Sequence, residues 1–154
     1  MDRIDRRILA ELQADGRMAM VELADRVSLT KTPCTERVKR LENAGVIRGY
    51  RADLDPELLD CGHVVIVLVT LDKTGDDALE RFNDAIRRIP EIQCCYMVAG
   101  NFDYMLKVRT KDVAHYRAVL GDHIGRLPNI QQTHSFVAIE LVKDEVTVPV
   151  PTGR

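Results

Sequence analysis

The chain has 154 residues, 45% of them hydrophobic and 30% charged, with a formal net charge of -2. That balance fits one or two small folded domains and excludes an intrinsically disordered chain. No apolar run reaches the roughly 18 residues a membrane-spanning helix needs, and the start Met1-Asp-Arg-Ile-Asp5 has no apolar export segment, so a cytoplasmic protein without a membrane partner is expected. The four cysteines (Cys34, Cys61, Cys94, Cys95) and four histidines (His63, His115, His123, His134) have no metal-ligand spacing. Neither a metal nor a cofactor is expected, and the thiols read as reduced and buried.

The charge is unevenly spread. The first 54 residues carry 11 Lys and Arg against 9 Asp and Glu, and the remainder carries 11 against 15. The excess is sharpest from Lys31 to Arg51, where Lys31, Arg37, Lys39, Arg40, Arg48 and Arg51 stand against Glu36 and Glu42. A DNA-contacting surface needs such a local excess, because phosphate contacts supply much of the affinity.

Asp2 is a plausible cap for a first helix with Ile4, Ile8, Leu9 and Leu12 on one side and Arg3, Asp5, Arg6, Arg7 and Glu11 on the other. Asp15-Gly16 ends it, with Gly16 suited to a left-handed terminus. A shorter helix over about Val21 to Val27 buries Leu23, Ala24 and Val27, and starts without a good cap at Ala19 and Met20. After the turn Ser28-Leu-Thr-Lys31, a third helix opens at Thr32-Pro33, with Thr32 as cap and Pro33 in the first helical position. Cys34, Val38 and Leu41 face inward, and Gly45 stops the helix. Two short helices joined by a tight turn form a helix-turn-helix, whose second member enters the major groove with its N-terminal residues near base edges. Those residues are Thr32, Thr35, Glu36 and Lys39. Arg40 is placed for phosphate, and Arg37, at the edge of the buried face, suits phosphate or a neighbouring acidic side chain. Ser28 and Lys31 border the same surface. Val46 to Leu54 is strand-prone, with Arg48 and Arg51 placed for the DNA backbone.

Asp55-Pro56 marks a boundary, with a linker over 55–62. Beyond it the rhythm changes. Strands are expected at about His63 to Leu71, Glu91 to Val98, Tyr104 to Thr110 and Ile130 to Val142. Helices carrying Leu79, Phe82, Ile86 and Ile89, and then Val113, Tyr116, Leu120 and Ile124, fall between them. The order β-α-β-β-α-β is the ferredoxin-like pattern. Arg88-Ile-Pro-Glu-Ile92 and Arg126-Leu-Pro-Asn-Ile130 echo each other, as two similar halves would.

Leu23-Ala-Asp-Arg-Val-Ser-Leu29, Thr32-Pro-Cys-Thr-Glu-Arg-Val-Lys-Arg-Leu-Glu42, Gly45-Val-Ile-Arg-Gly-Tyr50 and Gly100-Asn-Phe-Asp-Tyr104 resemble the leucine-responsive/asparagine-synthase (Lrp/AsnC) family of transcriptional regulators almost end to end. The resemblance implies an α+β chain: a winged-type, three-helix helix-turn-helix domain over 1–54 ending in a linker strand, and an amino-acid-sensing and oligomerisation domain over 63–154. It implies a sequence-specific regulator of amino-acid metabolism whose partners are double-stranded DNA, an amino acid, and its own copies as a homodimer that assembles to a homo-octamer. On that analogy Gly100, Asn101, Phe102, Asp103 and Tyr104 form the effector loop, with Met97, Thr133, Ser135 and Phe136 as pocket neighbours. The backbone near Gly100 would donate to the effector carboxylate and Asp103 would accept from its ammonium.

Two positions depart from the family pattern. Ser28 stands where Gly or Asn is common, and Gly100-Asn101 stands where Gly-Asp is common. The second leaves an effector-independent DNA-binding oligomer as an alternative. An RNA-binding βαββαβ module is disfavoured because Tyr104-Met-Leu-Lys-Val-Arg109 lacks the Gly/aromatic spacing of a base-stacking strand and aromatic residues make up only 5% of the chain. An enzyme is disfavoured because no nucleophile-base motif or phosphate loop is present, and Asp76-Asp77 suits a helix start. A purely structural oligomer would show only nonspecific DNA binding.

Overall fold

The structure, a computed structural model, describes residues 1–151. Helix α1 spans Arg3–Ala14. The Asp5 backbone N–H donates to the Asp2 side chain at 2.8 Å and the Asp2 N–H donates to the Asp5 side chain at 3.0 Å, a reciprocal capping box. The helix ends at Asp15 in extended backbone, and Gly16 is not left-handed as expected. Its lack of a side chain matters for space instead, since a Cβ there would lie 3.3 Å from the Tyr50 ring.

Helix α2 is Met20–Arg26, and Ala19 makes no side-chain cap. Helix α3 is Lys31–Asn43. It starts earlier than the sequence suggests: Thr30, not Thr32, is the N-cap residue, and Pro33 is the third helical residue. Pro33 is still tolerated there, because the first N–H groups of a helix lack intrahelical partners; the Cys34 N–H makes the bond to Thr30 C=O at 3.2 Å. The three helices enclose Ile8, Leu12, Met18, Leu23, Ala24, Val27, Cys34, Val38 and Leu41.

No strand forms over residues 46–54. A strand needs a partner for its backbone groups, and no described strand pairs with this segment. The Val46 and Ile47 N–H groups both donate to Leu41 C=O, finishing α3 instead.

The chain divides into two compact units, each described here by itself: Met1–Asp53 together with the segment from Lys143 onward, and Leu54–Val142. The sequence reading kept the C-terminal tail with the second domain; residues 143–151 group with the helices. The Gln13 amide donates to Val148 C=O at 2.7 Å and accepts from Val148 N–H at 3.0 Å, so one side chain on α1 satisfies both backbone groups of a tail residue.

In the second unit β1 (His63–Leu71), α4 (Asp76–Ile86), β2 (Ile92–Met97), β3 (Tyr104–Thr110), α5 (Val113–Asp122) and β4 (Ile130–Val137) follow in order. The sheet is antiparallel in the order β2-β3-β1-β4, the ferredoxin-like arrangement. Strand alternation sends Val65, Val67, Val69, Leu71, Tyr104, Leu106 and Val108 to one face, against Phe82, Ile86, Ile89, Tyr116, Val119, Ile124 and Leu127. Each such buried side chain contributes about 1.5–3 kcal/mol. Val113 is exposed rather than packed, and Val119 takes the inward place instead. β4 ends at Val137, five residues short of expectation; Ile139 and Val142 beyond it are exposed.

The opposite face of the sheet carries Ile66, Leu68, Tyr96, Met105 and Phe136, assigned by register with their neighbours. None of them is buried, and Tyr96 and Phe136 are each 55% exposed.

Candidate functional site

Two places were singled out by sequence: the N-terminal face of α3 and the loop between β2 and β3.

On the first, the turn into α3 is left-handed at Ser28 (φ 60). That conformation costs a non-glycine residue roughly 1–2 kcal/mol. The turn is nonetheless pinned: the Ser28 N–H donates to Asp25 C=O at 3.1 Å and the Leu29 N–H to Ala24 C=O at 2.9 Å. Lys31, Thr32, Glu36 and Lys39 are exposed. Thr35 is half-buried, and its hydroxyl donates to Lys31 C=O at 2.8 Å, one turn back along the helix. Arg48 and Arg51 are exposed on the irregular segment after α3. Lys31, Lys39, Arg48 and Arg51 make no ion pair among the described residues.

Arg37 and Arg40 differ from the expectation. Arg37 Nη1 lies 2.6 Å from Asp2 Oδ2 and 2.8 Å from Asp5 Oδ1. Arg40 Nη2 lies 2.8 Å from both Asp5 oxygens. Arg40, expected at phosphate, is thus held by a carboxylate of its own chain, and Arg37 has the acidic partner that was one of its two options. Asp5, placed by sequence on the outer side of α1, is 1% exposed. Burial pushes its carboxyl up, but the Asp2 N–H and the Arg37 guanidinium outweigh this and hold it below the ordinary value. Asp2 falls to about 2, through the Asp5 N–H first and Arg37 second. The signal was present in the sequence: Asp2 and Asp5 lie three apart at a helix start, Arg37 and Arg40 three apart on another helix, so each pair shares one face.

The β2–β3 loop is closed by backbone bonds. Val98 N–H donates to Asp103 C=O at 2.9 Å, and Asp103 N–H to Val69 C=O at 2.9 Å. Asp103 Oδ2 accepts from Leu71 N–H at 2.7 Å, so one oxygen of the expected ammonium acceptor already fastens the loop to β1. Gly100 and Asn101 are exposed and Phe102 is half-buried. Gly100 is not left-handed, and a Cβ there would meet nothing within 4 Å.

Other expected pocket residues do not converge. Tyr104 is 1% exposed, its ring 4.5 Å from the Phe82 ring, so its side chain belongs to the core. Ser135 Oγ is 2.5 Å from the Tyr116 hydroxyl, a bond that holds β4 to α5. Thr133 and Ser135 lie on the helix-covered side of the sheet, whereas Phe136 lies on the open side. Met97 and Thr133 end one register row, Met97-Tyr104-Val69-Thr133. Three strand spacings of about 4.8 Å separate them, roughly 14 Å. Met97 and Thr133 therefore do not converge on one pocket within a single chain. A recess of about 650 Å³, open to solvent, lies elsewhere, at Lys73 to Ala78 and Arg81 around the start of α4.

No group of three or more His, Cys, Asp or Glu is placed to hold a metal among the described residues. All four cysteines are free thiols: Cys34 is buried, Cys61 exposed, and Cys94 and Cys95 half-buried on opposite faces of β2. Burial pushes the Cys95 thiol up to about 11, so it is a poor nucleophile. No helix of the described residues is long and apolar enough to cross a membrane.

Comparison with known proteins covers both places. A family model described as the Lrp/AsnC ligand binding domain matches residues 64–148, and one described as winged helix-turn-helix DNA-binding matches residues 1–48. The chain is 47% identical over 152 residues to the leucine-responsive regulatory proteins of Klebsiella pneumoniae and Escherichia coli (strain K12), covering 99% of this chain and 93% of each relative. Among solved structures, an AsnC family transcriptional regulator from Agrobacterium tumefaciens superposes with a TM-score of 0.92 at 35% identity over 97% of both chains. A transcriptional regulator from Neisseria meningitidis, solved as an L-Met complex, gives 0.90 at 32% identity over 97% of this chain and 96% of that one.

Proposed function

The chain belongs to the Lrp/AsnC family of transcriptional regulators, and from that premise we propose that it binds a near-palindromic operator as a homodimer and changes that binding when a small amino acid occupies a site completed by a second copy. It is a DNA-binding regulator rather than an enzyme. The observation that carries the proposal is the uncovered sheet face. Ile66, Leu68, Tyr96, Met105 and Phe136 lie on the face opposite the helices, with Lys107 and His134 in the same register rows, and an apolar patch bordered by polar side chains marks an interaction surface. A second copy packed on that face supplies the two-fold symmetry that a palindrome requires.

In this reading Lys31, Thr32, Glu36 and Lys39 meet base edges and phosphates at the start of α3, and Arg48 and Arg51 meet the flanking backbone. The effector is an amino acid, with Gly100 and Asn101 offering open backbone to its carboxylate and Met97 to its side chain. The L-Met bound by the Neisseria regulator and the name of the leucine-responsive relatives make methionine and leucine the first candidates. Higher assembly to an octamer and a cytoplasmic location complete the proposal.

Calorimetric titration of the purified protein with each amino acid, beside operator titration with and without the hit, tests it. The expected result is saturable binding of one or a few apolar amino acids and a changed operator affinity. Operator binding that is tight and indifferent to all twenty would reject the sensing half and leave an effector-independent DNA-binding oligomer.

A further inference from the structure

Asp5 is the least exposed charged side chain on the helical unit, and it accepts four hydrogen bonds: one from Asp2 N–H, one from Arg37 and two from Arg40. A carboxylate offers about four acceptor positions, so this one is saturated. With Asp2 on Arg37, the cluster holds two carboxylates and two guanidiniums and sums to zero charge. Both arginines lie on α3, the helix read as entering the major groove.

We propose that Asp5 sets the DNA specificity of this protein by neutralising Arg37 and Arg40 within the chain, so that α3 meets DNA with selective contacts rather than with its full positive charge. The inference rests on the DNA-binding reading above. Sequence-independent affinity comes from cations that displace counterions from phosphates, and it grows with their number. Of the six cations between Lys31 and Arg51, four make no ion pair among the described residues: Lys31, Lys39, Arg48 and Arg51. An arginine held against an anion displaces few counterions, because the pair is neutral as a whole. Specificity is a difference between two affinities, and it improves when the sequence-independent one is kept low. The three bonds to Asp5 that come from Arg37 and Arg40 fasten α3 to α1, so Asp5 is also a positioning residue for the groove-entering helix.

The test is the salt dependence of DNA binding by the full-length protein, on a mixed-sequence duplex and on the duplex that the unmodified protein selects from a random pool. Asp5→Asn leaves the cluster with one net positive charge. The slope of log affinity against log salt on mixed-sequence DNA should steepen by about one, equivalent to a roughly 3.5-fold greater loss of affinity between about 50 and about 200 mM salt. The ratio of selected to mixed-sequence affinity should fall severalfold.

Asp2→Asn should steepen the slope in the same direction and keeps the helix cap, so it serves if Asp5→Asn does not fold. Asp15→Asn, which removes one carboxylate at the other end of α1, should leave the slope unchanged. The proposal is overturned if Asp5→Asn and Asp2→Asn weaken both duplexes without steepening the slope, as a merely structural role would, or if Asp15→Asn steepens it equally. Lys39→Ala should make the slope shallower by about one. An unchanged slope there would instead remove α3 from the DNA and overturn the underlying reading.

Discussion

In the helical unit the charged side chains on facing surfaces are matched to one another. Asp2 and Asp5 hold Arg37 and Arg40, and Arg26 bridges Glu11 at 2.9 Å and Glu22 at 2.7 Å. In the sheet unit one face is covered by α4 and α5, while Ile66, Leu68, Tyr96, Met105 and Phe136 lie on the other, which those two helices do not cover. The first unit completes its core and its ion pairs within one chain; the second has an apolar surface that one chain leaves unfilled. The difference teaches where assembly would enter under the proposed function: DNA reading would need only the helical unit of one protomer, whereas ligand sensing would need a second copy to close the open face and the β2–β3 loop.

The strongest way to break that contrast is through the covered face. Phe82 is fully buried, with its ring 4.5 Å from that of Tyr104. Phe82→Ala should cost about 3–5 kcal/mol. Hydrogen exchange should show the loss in β1 and β3 amides, with α1 and α3 keeping their protection. Equal loss of protection in α1 and α3 would show that the two units fold as one.

The uncovered face gives the second test. Ile66 lies mid-strand, opposite Phe136 on one side and Lys107 on the other. Ile66→Asp should weaken self-association by about 2 kcal/mol per copy, since a polar group is then buried at the interface. Sedimentation should show smaller species with thermal stability of the protomer nearly kept. An unchanged assembly size would mean that this face is not where copies meet.

Acid should act on the helical unit through Asp2 and Asp5. Both are held below the ordinary carboxylate value of 3.8, Asp2 at about 2. A carboxyl depressed in the folded state stabilises it above the unfolded pKa and loses that contribution as pH falls through the folded one. Protection of α1 and α3 amides should therefore decline from about pH 4 toward about pH 2. Protection that is flat across that window would detach the cluster from stability.

How much of this was legible follows from what each pattern encodes. Strands β1 and β3 were read at their observed ends because Val64 to Val69 is an apolar run between polar flanks and Tyr104 to Thr110 alternates, both local signals. The strand expected at 46–54 was a propensity without a partner, and propensity yields where no ladder can form. Asp5 was misplaced because helical periodicity sorts charge outward by default. Its burial depends on Arg37 and Arg40, more than thirty residues away in sequence. The effector residues were carried by resemblance, and the structure separates them for a geometric reason: Thr133 and Ser135 alternate with Phe136 across β4, and Met97 sits on the far edge. Alternation along one strand was readable from the sequence, but the strand order that sets the separation was not.

The smallest effect sharpens the contrast at a single backbone position. Ser28 is exposed and left-handed, and the bonds from Ser28 and Leu29 into α2 fix that conformation, so the turn cannot relax. Ser28→Gly removes a strain of roughly 1 kcal/mol in the folded unit, while the added freedom of glycine in the unfolded chain offsets part of the gain. The net expectation is a stabilisation of about 0.5 kcal/mol, read in denaturant midpoints of the helical unit. Operator affinity measured on the same variant separates two roles for the serine. Unchanged affinity would make the turn purely a spacer between α2 and α3, fitting a unit whose geometry is settled within the chain. A loss of about tenfold would place the Ser28 hydroxyl on the DNA, and the strain would then be retained for contact, not tolerated by the fold.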